Sequence, residues 1–200
     1  MWFVRGRKII LVFISHLLFV TLSSACPGLE LVIRSQWSAR APSQRWFFVS
    51  TPVEHVIIGH TATAPCLSQE SCAAQMRSIQ KYHMELGWGD IGYNFVIGGD
   101  GRVYEGVGWS RQGVHTLGWN TKSYGIAFIG DYSQMRPSAK QLKAARYLMI
   151  CGTQMGLISS GHKIHGARDA TCTDSPGDKL YEIIARWPMF EGGPLVGYKC

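Results

Sequence analysis

The 200-residue sequence has no long run of Lys and Arg, no internal repeat and no low-complexity tract. The absence of a basic run excludes the electrostatic footprint that nucleic-acid-binding proteins usually carry. Without repeats, the chain has to bury an ordinary hydrophobic core. A hydrophobic content of 46% is enough for one such core at this length, so the composition predicts a single domain.

A long membrane-spanning run is also missing. The apolar run Ile9–Val20 is interrupted by a serine and a histidine and is shorter than the roughly 20 residues that cross a bilayer. Basic residues precede it and the small residues 23–25 follow it, which is typical of a secretory signal peptide. We therefore expect cleavage after residues 1–25, an extracellular location and no membrane insertion afterwards; an uncleaved anchor is the alternative. The remaining chain has 17 basic and 13 acidic residues, and its net charge of +4 suits an anionic bacterial surface.

All six cysteines lie beyond residue 25, at positions 26, 66, 72, 151, 172 and 200. In a secreted protein such a set indicates disulfides, and about 15 pairings are possible on sequence alone. Cys66 and Cys72 are close enough to clip a loop, and Cys26 would tie the N-terminal arm to a helix if it met Cys151. The last two cysteines are then either paired with each other or free.

The order of elements predicts an α/β or α+β domain with a mixed sheet. The β-branched run HVIIGH at 55–60 and the run YGIAFIGDY at 124–132 indicate buried strands, and GYNFVIGGDGRVYEG at 92–106 indicates a hairpin around its Gly-Gly-Asp-Gly turn. Helical spacing covers 68–84, with Ser68 as N-cap, and also 138–155 and 179–187. Residues 26–52 are interpreted as an arm packed on this domain, and 191–200 as a loose tail.

Three ordered motifs carry a resemblance to a known family. They are GHT at 59–61 after the first buried strand, GYNFVIGGDGRVYEGVGW at 92–109 followed by GVHT at 113–116, and GARD at 166–169 followed by SPG at 175–177. Together they resemble the short secreted peptidoglycan recognition proteins, whose fold is shared with bacterial type 2 amidases. The resemblance covers about residues 26–188. It implies one α/β domain at 26–190, with a central mixed β-sheet flanked by three helices, and the disulfides Cys66–Cys72 and Cys26–Cys151.

The same resemblance implies what the domain binds. Members of the family hold the peptide stem and muramyl sugar of bacterial peptidoglycan. Matching positions predict ligand contacts from His60, helped by Thr61, and from Tyr93, His115 and Asn120. Polar side chains in a Gly-rich loop on a rigid sheet are also suited to binding. Plain loop and core roles are the alternative for these residues.

Two further positions bear on the type of stem. The pair Gly87-Trp88 matches the residues that accompany a preference for diaminopimelate-type stems in this family, and an aromatic ring can also pack on a sugar face. Lys122 aligns with an arginine that pairs with the extra diaminopimelate carboxylate. Lysine keeps the positive charge but lacks the bidentate fork of arginine. The sequence therefore favours diaminopimelate-type stems; at least one of the tryptophans 88, 109 and 119 is expected in the core.

The zinc ligands of the catalytic relatives are mostly missing. Those enzymes hold zinc with two histidines and a cysteine beside a tyrosine, leaving one position open for the attacking water. Here the first histidine is His60 and the tyrosine is Tyr93, but the other two positions hold Ala167 and Ser175. His165 and Cys172 lie nearby, and we expect a surface histidine and a disulfide or free cysteine rather than replacement ligands. The resemblance thus predicts no metal, no cofactor and no catalysis.

We therefore predict a secreted innate-immunity protein that binds bacterial peptidoglycan and either signals to downstream immune proteins or acts directly on bacteria. A zinc-dependent N-acetylmuramoyl-L-alanine amidase is the alternative, and Ala167 and Ser175 argue against it. A structural domain with an unused groove is a third interpretation, disfavoured because the predicted contact residues are retained.

Overall fold

The computed structural model describes residues 26–200, so the predicted signal peptide at 1–25 lies outside the described residues. Residues 26–200 form six strands, four α-helices and one short 3₁₀ helix, Arg34–Trp37. The strands are β1 (Leu31–Val32), β2 (Val53–His60), β3 (Phe95–Ile97), β4 (Val103–Glu105), β5 (Ser123–Phe128) and β6 (Ile158–Gly166). The helices are α1 (Gln69–Glu85), α2 (Ala139–Gln154), α3 (Ala167–Ala170) and α4 (Asp178–Ile184).

The six strands form one mixed sheet in the order β1-β4-β3-β5-β2-β6. Only β3 and β4 pair in antiparallel fashion, as the Gly-Gly-Asp-Gly turn predicts, and the other neighbours are parallel. The predicted α/β domain with a central mixed sheet is therefore confirmed. The sequence did not predict β6, and the three predicted helices are joined by a fourth, α3, of four residues.

Helices cover both faces of the sheet. One face packs against α2 and α4 through buried residues such as Ile58, Phe128 and Leu148, and the other packs against α1 and the arm through Trp37 and Met76. The long helices begin at serine N-caps, as predicted for Ser68. In each cap the serine hydroxyl accepts a hydrogen bond from the amide three residues later, which satisfies one free donor of the first turn. None of the helices within residues 26–200 is long and apolar enough to cross a membrane.

Disulfides and buried side chains attach the N-terminal arm and the C-terminal segment to the domain. The pairs Cys26–Cys151 and Cys66–Cys72 are present, and Cys172 pairs with Cys200. The arm contributes the edge strand β1 and the fully buried Trp37, whose indole donates to the carbonyl of Glu105 at 2.8 Å. It is therefore packed on the domain, as expected.

The C-terminal segment is more firmly attached than the prediction of a loose tail at 191–200 suggests. The amide of Glu191 donates to Ile164 O at 2.8 Å, and that of Leu195 donates to Asp169 O at 2.7 Å. Leu195 is buried, and Cys200 is held by its disulfide. Glycine and proline suggested looseness from composition, but main-chain hydrogen bonds to the domain fix the path of this segment.

Candidate functional site

Parallel pairing brings the carboxyl ends of β2, β5 and β6 to one edge of the sheet. The register aligns His60 with Phe128 across β2 and β5, and Ile58 with Gly166 across β2 and β6. In open α/β sheets, this edge is where ligands usually bind. A cavity of about 240 Å³ lies there, and its lining includes the predicted residues His60, Tyr93 and His115 together with Ala167 and Ser175.

The backbone fixes the protonation pattern of His60. Its Nδ1 accepts a hydrogen bond from the amide of Tyr132 at 3.1 Å. Because a main-chain N–H can only donate, the neutral ring must carry its proton on Nε2. Burial lowers the pKa of His60, and the carboxylate of Asp131, 3.8 Å from Nδ1, opposes this shift. A neutral His60 therefore offers an N–H donor at Nε2.

His115 occupies a slot that the neighbouring glycines leave open. A Cβ at Gly125 on β5 would collide with its imidazole, so only glycine admits the ring there. Asn120 Oδ1 accepts from the amides of His115 at 2.9 Å and Thr116 at 2.8 Å, which fixes the loop. Burial lowers the pKa of His115 to about 4, so the ring is neutral at physiological pH. Its Nε2 has no hydrogen-bond partner within the described part of the chain.

Tyr93 and Trp88 pack against a histidine that no sequence motif indicated. His83 of α1 lies against the Trp88 ring, with centroids 4.5 Å apart, and against the Tyr93 ring at 5.4 Å. Its Nδ1 accepts from the amide of Gly92 at 3.0 Å. Burial lowers the pKa of His83 to about 4 and raises that of Tyr93 to about 12. The Tyr93 hydroxyl therefore keeps its proton and can donate to a ligand.

Two other predicted residues line an adjacent cleft of about 280 Å³. Trp88 is 37% exposed there, and Asn120 contributes its side chain while its Oδ1 supports the loop. The cleft also contains Trp46 and Phe47 of the arm, with the Arg111 guanidinium 4.8 Å above the Trp46 ring. The predicted contact residues are thus divided between two neighbouring depressions.

Three predicted residues line neither depression. The Thr61 hydroxyl accepts from the amide of Gly130 at 3.1 Å, so it supports the loop behind His60. Gly87 follows the C-cap of α1 with φ of 83°, a conformation that favours glycine. The ammonium of Lys122 lies 3.8 Å from the centre of the Trp119 ring. Trp119 is buried in the core at 6% exposure, and the partly buried Trp109 packs on Phe95 at the edge of the core.

Ala167 and Ser175, which the sequence places at two of the three metal-ligand positions of the catalytic relatives, have structural roles. Ala167 begins α3 and offers no donor atom, whereas the Ser175 hydroxyl accepts from the amide of His60 at 3.0 Å. Cys172 is bonded to Cys200. Within residues 26–200, no group of three or more His, Cys, Asp and Glu side chains is arranged to hold a metal ion.

His165 is not the surface residue that the sequence suggested. It is fully buried because 158–166 forms strand β6 beside β2. Its Nδ1 donates to the carbonyl of Glu191 at 2.7 Å, and its Nε2 lies 3.0 Å from His55 Nδ1. Both ring nitrogens are therefore used within the protein.

Asp169 is a second organising residue whose role the sequence pattern did not predict. One carboxylate oxygen accepts from the Tyr181 hydroxyl at 2.7 Å and the amide of Gly193 at 2.9 Å. The other accepts from the amide of Gly166 at 2.7 Å. Its position in the GARD motif was the only available signal. Asp169 thus holds the end of β6, α3 and the C-terminal segment together beside the cavity.

Comparisons with known proteins agree with this geometry. Residues 49–178 match the N-acetylmuramoyl-L-alanine amidase domain family. The chain is 47% identical over 170 residues to peptidoglycan-recognition protein 1 of Holotrichia diomphalia, covering 84% of this chain and 85% of the relative. It is 48% identical over 162 residues to peptidoglycan recognition protein 1 of Rattus norvegicus, covering 80% and 88%.

A solved structure extends the comparison to three dimensions. Peptidoglycan recognition protein-LE in complex with tracheal cytotoxin, a monomeric diaminopimelic acid-type peptidoglycan, superposes with a TM-score of 0.80 at 39% identity. The match covers 81% of this chain and 96% of that one. The fold, the domain match and the identity over most of the relatives' length all lead to the same conclusion. The chain belongs to the peptidoglycan recognition protein family.

Proposed function

We propose that this protein binds bacterial peptidoglycan without cleaving it. The ligand is a muropeptide, whose peptide stem and muramyl sugar occupy the cavity at the carboxyl edge of the sheet and the adjacent cleft. Relatives are named for peptidoglycan recognition, and the similar solved structure holds a muropeptide.

The observation that carries the proposal is a set of polar groups without protein partners around one cavity. His60 offers Nε2–H, and the described residues provide no hydrogen bond to Tyr93 Oη or His115 Nε2. Buried polar atoms are usually satisfied, and an unpaired one costs about 1–3 kcal/mol. Amide and hydroxyl groups of a muropeptide can bond to the His60 Nε2–H and to the Tyr93 hydroxyl, since both residues line the cavity.

The donor set does not fit a catalytic zinc ion. A catalytic site needs three protein ligands, and Ala167 supplies none. A neutral hydroxyl such as Ser175 is a poor ligand and already accepts a hydrogen bond. Even His60 is unsuited, because the proton on Nε2 and the Tyr132 amide at Nδ1 occupy both ring nitrogens. These features support binding without amide hydrolysis.

We further propose a preference for diaminopimelate-type stems. Trp88 lines the cleft beside Asn120, and Lys122, whose ammonium lies over Trp119 outside the cleft, provides a positive charge two residues along the same loop. The complex of the similar structure with a diaminopimelic acid-type ligand supports this preference. Equal affinities for the two stem types, measured by titration, would contradict this preference.

The location and biological role are proposals of the same kind. Residues 1–25 have the pattern of a secretory signal, and three disulfides in residues 26–200 suit an oxidising compartment. We propose a secreted protein of innate immunity that transmits binding to downstream immune proteins or acts directly on bacteria.

Calorimetric titration of the mature protein with soluble diaminopimelate-type and Lys-type muropeptides tests the binding proposal. Saturable binding that weakens at least tenfold in His115→Ala is the expected result. Undiminished binding by a folded His115→Ala, Tyr93→Ala double variant would show that the ligand lies elsewhere.

A further inference from the structure

A second cavity lies away from the carboxyl edge of the sheet. It occupies about 350 Å³ between α2 and the segment that follows α4, and it shares no lining residue with the candidate site. Its walls include Met149, Ile150, Ile164, Trp187 and Met189. Two of these side chains are unusually open for apolar residues, since Ile150 is 52% exposed and Met189 is 47% exposed. Contiguous exposed apolar surface of this kind often marks a binding site.

The ionisable side chains that line this groove are all basic. Arg146 and His162 contribute to its lining, and no carboxylate does. The Arg146 guanidinium lies 5.2 Å from the centre of the Trp187 ring, and no acidic group in residues 26–200 forms an ion pair with it. An anionic group at this rim would therefore find a cation that is already held in place by the indole ring.

Trp187 lines the groove with its ring, while its indole nitrogen is buried behind that surface. The residue is 5% exposed, and its Nε1–H has no acceptor within the described residues. A buried donor of this type normally has a partner. Because this nitrogen is not accessible from the groove, the polar recognition of a ligand there depends on Arg146.

We propose that this groove binds an anionic amphiphile with a single alkyl chain, a fatty acid or a lipid carrying a phosphate headgroup. The alkyl chain lies along Ile150, Ile164 and Met189, and the headgroup oxygens face Arg146. An alkyl chain loses no hydrogen bonds in an apolar groove, whereas an extended peptide would leave main-chain groups unpaired. A helix about 10 Å in diameter would fill this volume with less than one turn, so the groove does not enclose a helical partner.

Displacement of dansyl-labelled undecanoic acid from the mature protein tests the proposal. Competitors below their micellar concentrations are dodecanoate, dodecyl phosphate, non-ionic dodecyl maltoside and cationic dodecyltrimethylammonium. We expect the two anions to displace the probe at concentrations at least tenfold lower than the other two. The stronger of the two anions identifies the source of the headgroup.

Substitutions of groove residues test whether the probe binds in this groove. Ile150→Gln and Met189→Gln should each weaken dodecanoate at least fivefold, and Arg146→Gln should remove the preference for anions. Val196→Gln is the matched control, because Val196 is 92% exposed and lies outside the groove. All four variants should retain muropeptide binding, which separates this test from that of the candidate site.

Several results would overturn the proposal. These are the absence of saturable probe binding, equal displacement by all four headgroups, and unchanged dodecanoate binding in both apolar variants. Tighter binding of an acidic amphipathic helical peptide, or protein dimers that block the probe, would assign the groove to a protein partner instead.

Discussion

The ring of His60 accepts a hydrogen bond from the main-chain amide of Tyr132, and this bond determines what the ring can do. With Nδ1 engaged at 3.1 Å, Nε2 must carry the proton of the neutral ring. A histidine in that state can donate to a ligand, and a metal at Nε2 would have to displace the proton there. This state of the ring supports the proposed role of His60 in ligand recognition.

Removing the Tyr93 hydroxyl should weaken muropeptide binding. Tyr93→Phe keeps the ring against His83 and loses only a donor that faces the cavity. One hydrogen bond of about 1.4 kcal/mol corresponds to a tenfold change, so we expect roughly tenfold weaker binding by calorimetry. Tyr147→Phe, a change of the same chemistry on the outer side of α2, should bind like the wild type.

Filling the slot beneath His115 should have a similar effect without removing any ligand-binding atom. A Cβ at Gly125 would collide with the imidazole and displace it. Gly125→Ala should bind muropeptide at least tenfold more weakly while circular dichroism shows retained structure. Gly161→Ala is the control, because a Cβ there meets no neighbouring atom. Equal binding by both variants would mean that His115 does not contact the ligand.

Stability should fall as the pH decreases from about 6.5 to 4. Burial lowers the pKa of His83 and His115 to about 4 in the folded state, whereas a histidine in the unfolded chain has a pKa of 6.5. Above pH 6.5 both histidines are neutral in the folded and in the unfolded protein. Between pH 6.5 and pH 4 they take up protons only in the unfolded protein. Each histidine then removes about 1.4 kcal/mol of unfolding free energy per pH unit.

Urea unfolding at pH 7 and pH 5 measures this dependence. His83→Gln retains an acceptor for the amide of Gly92 but does not titrate, so its loss of stability between the two pH values should be smaller than that of the wild type. The same loss in both proteins would contradict the assignment to His83.

Asp169 should be essential for stability although it faces no ligand. Asp169→Ala leaves the amides of Gly166 and Gly193 and the hydroxyl of Tyr181 without their acceptor. At about 1–3 kcal/mol for each buried unsatisfied donor, we expect a loss of at least about 3 kcal/mol in urea unfolding. Asp178→Ala, which removes a largely exposed carboxylate paired with Arg168, should change stability little.

The sequence predicted the elements whose patterns are local. HVIIGH is a continuous β-branched run because β2 lies between two strands and both of its faces are covered. Strand β6, ISSGHKIHG, escaped prediction because it is an edge strand whose first half is partly exposed, so polar residues interrupt its pattern. Ser68 was predicted as an N-cap because a cap requires only nearby residues.

The same distinction between local patterns and contacts formed by folding applies to the candidate site. His60 and Tyr93 belong to local motifs, and the structure places both at one cavity. The roles of His83 and Asp169 depend on partners brought together by folding, such as Gly193, which is 24 residues from Asp169. Nothing in a local pattern indicates such a contact. The environment of His165 was wrongly predicted for the same reason, since its burial depends on the pairing of β6 with β2.

Binding to insoluble peptidoglycan, combined with an assay for released stem peptide, tests the central claim most directly. The mature wild-type protein should sediment with diaminopimelate-type peptidoglycan and release no stem peptide, with or without added zinc. The double variant Tyr93→Ala, His115→Ala should remain in the supernatant. Zinc-dependent release of stem peptide by the wild-type protein would contradict the account.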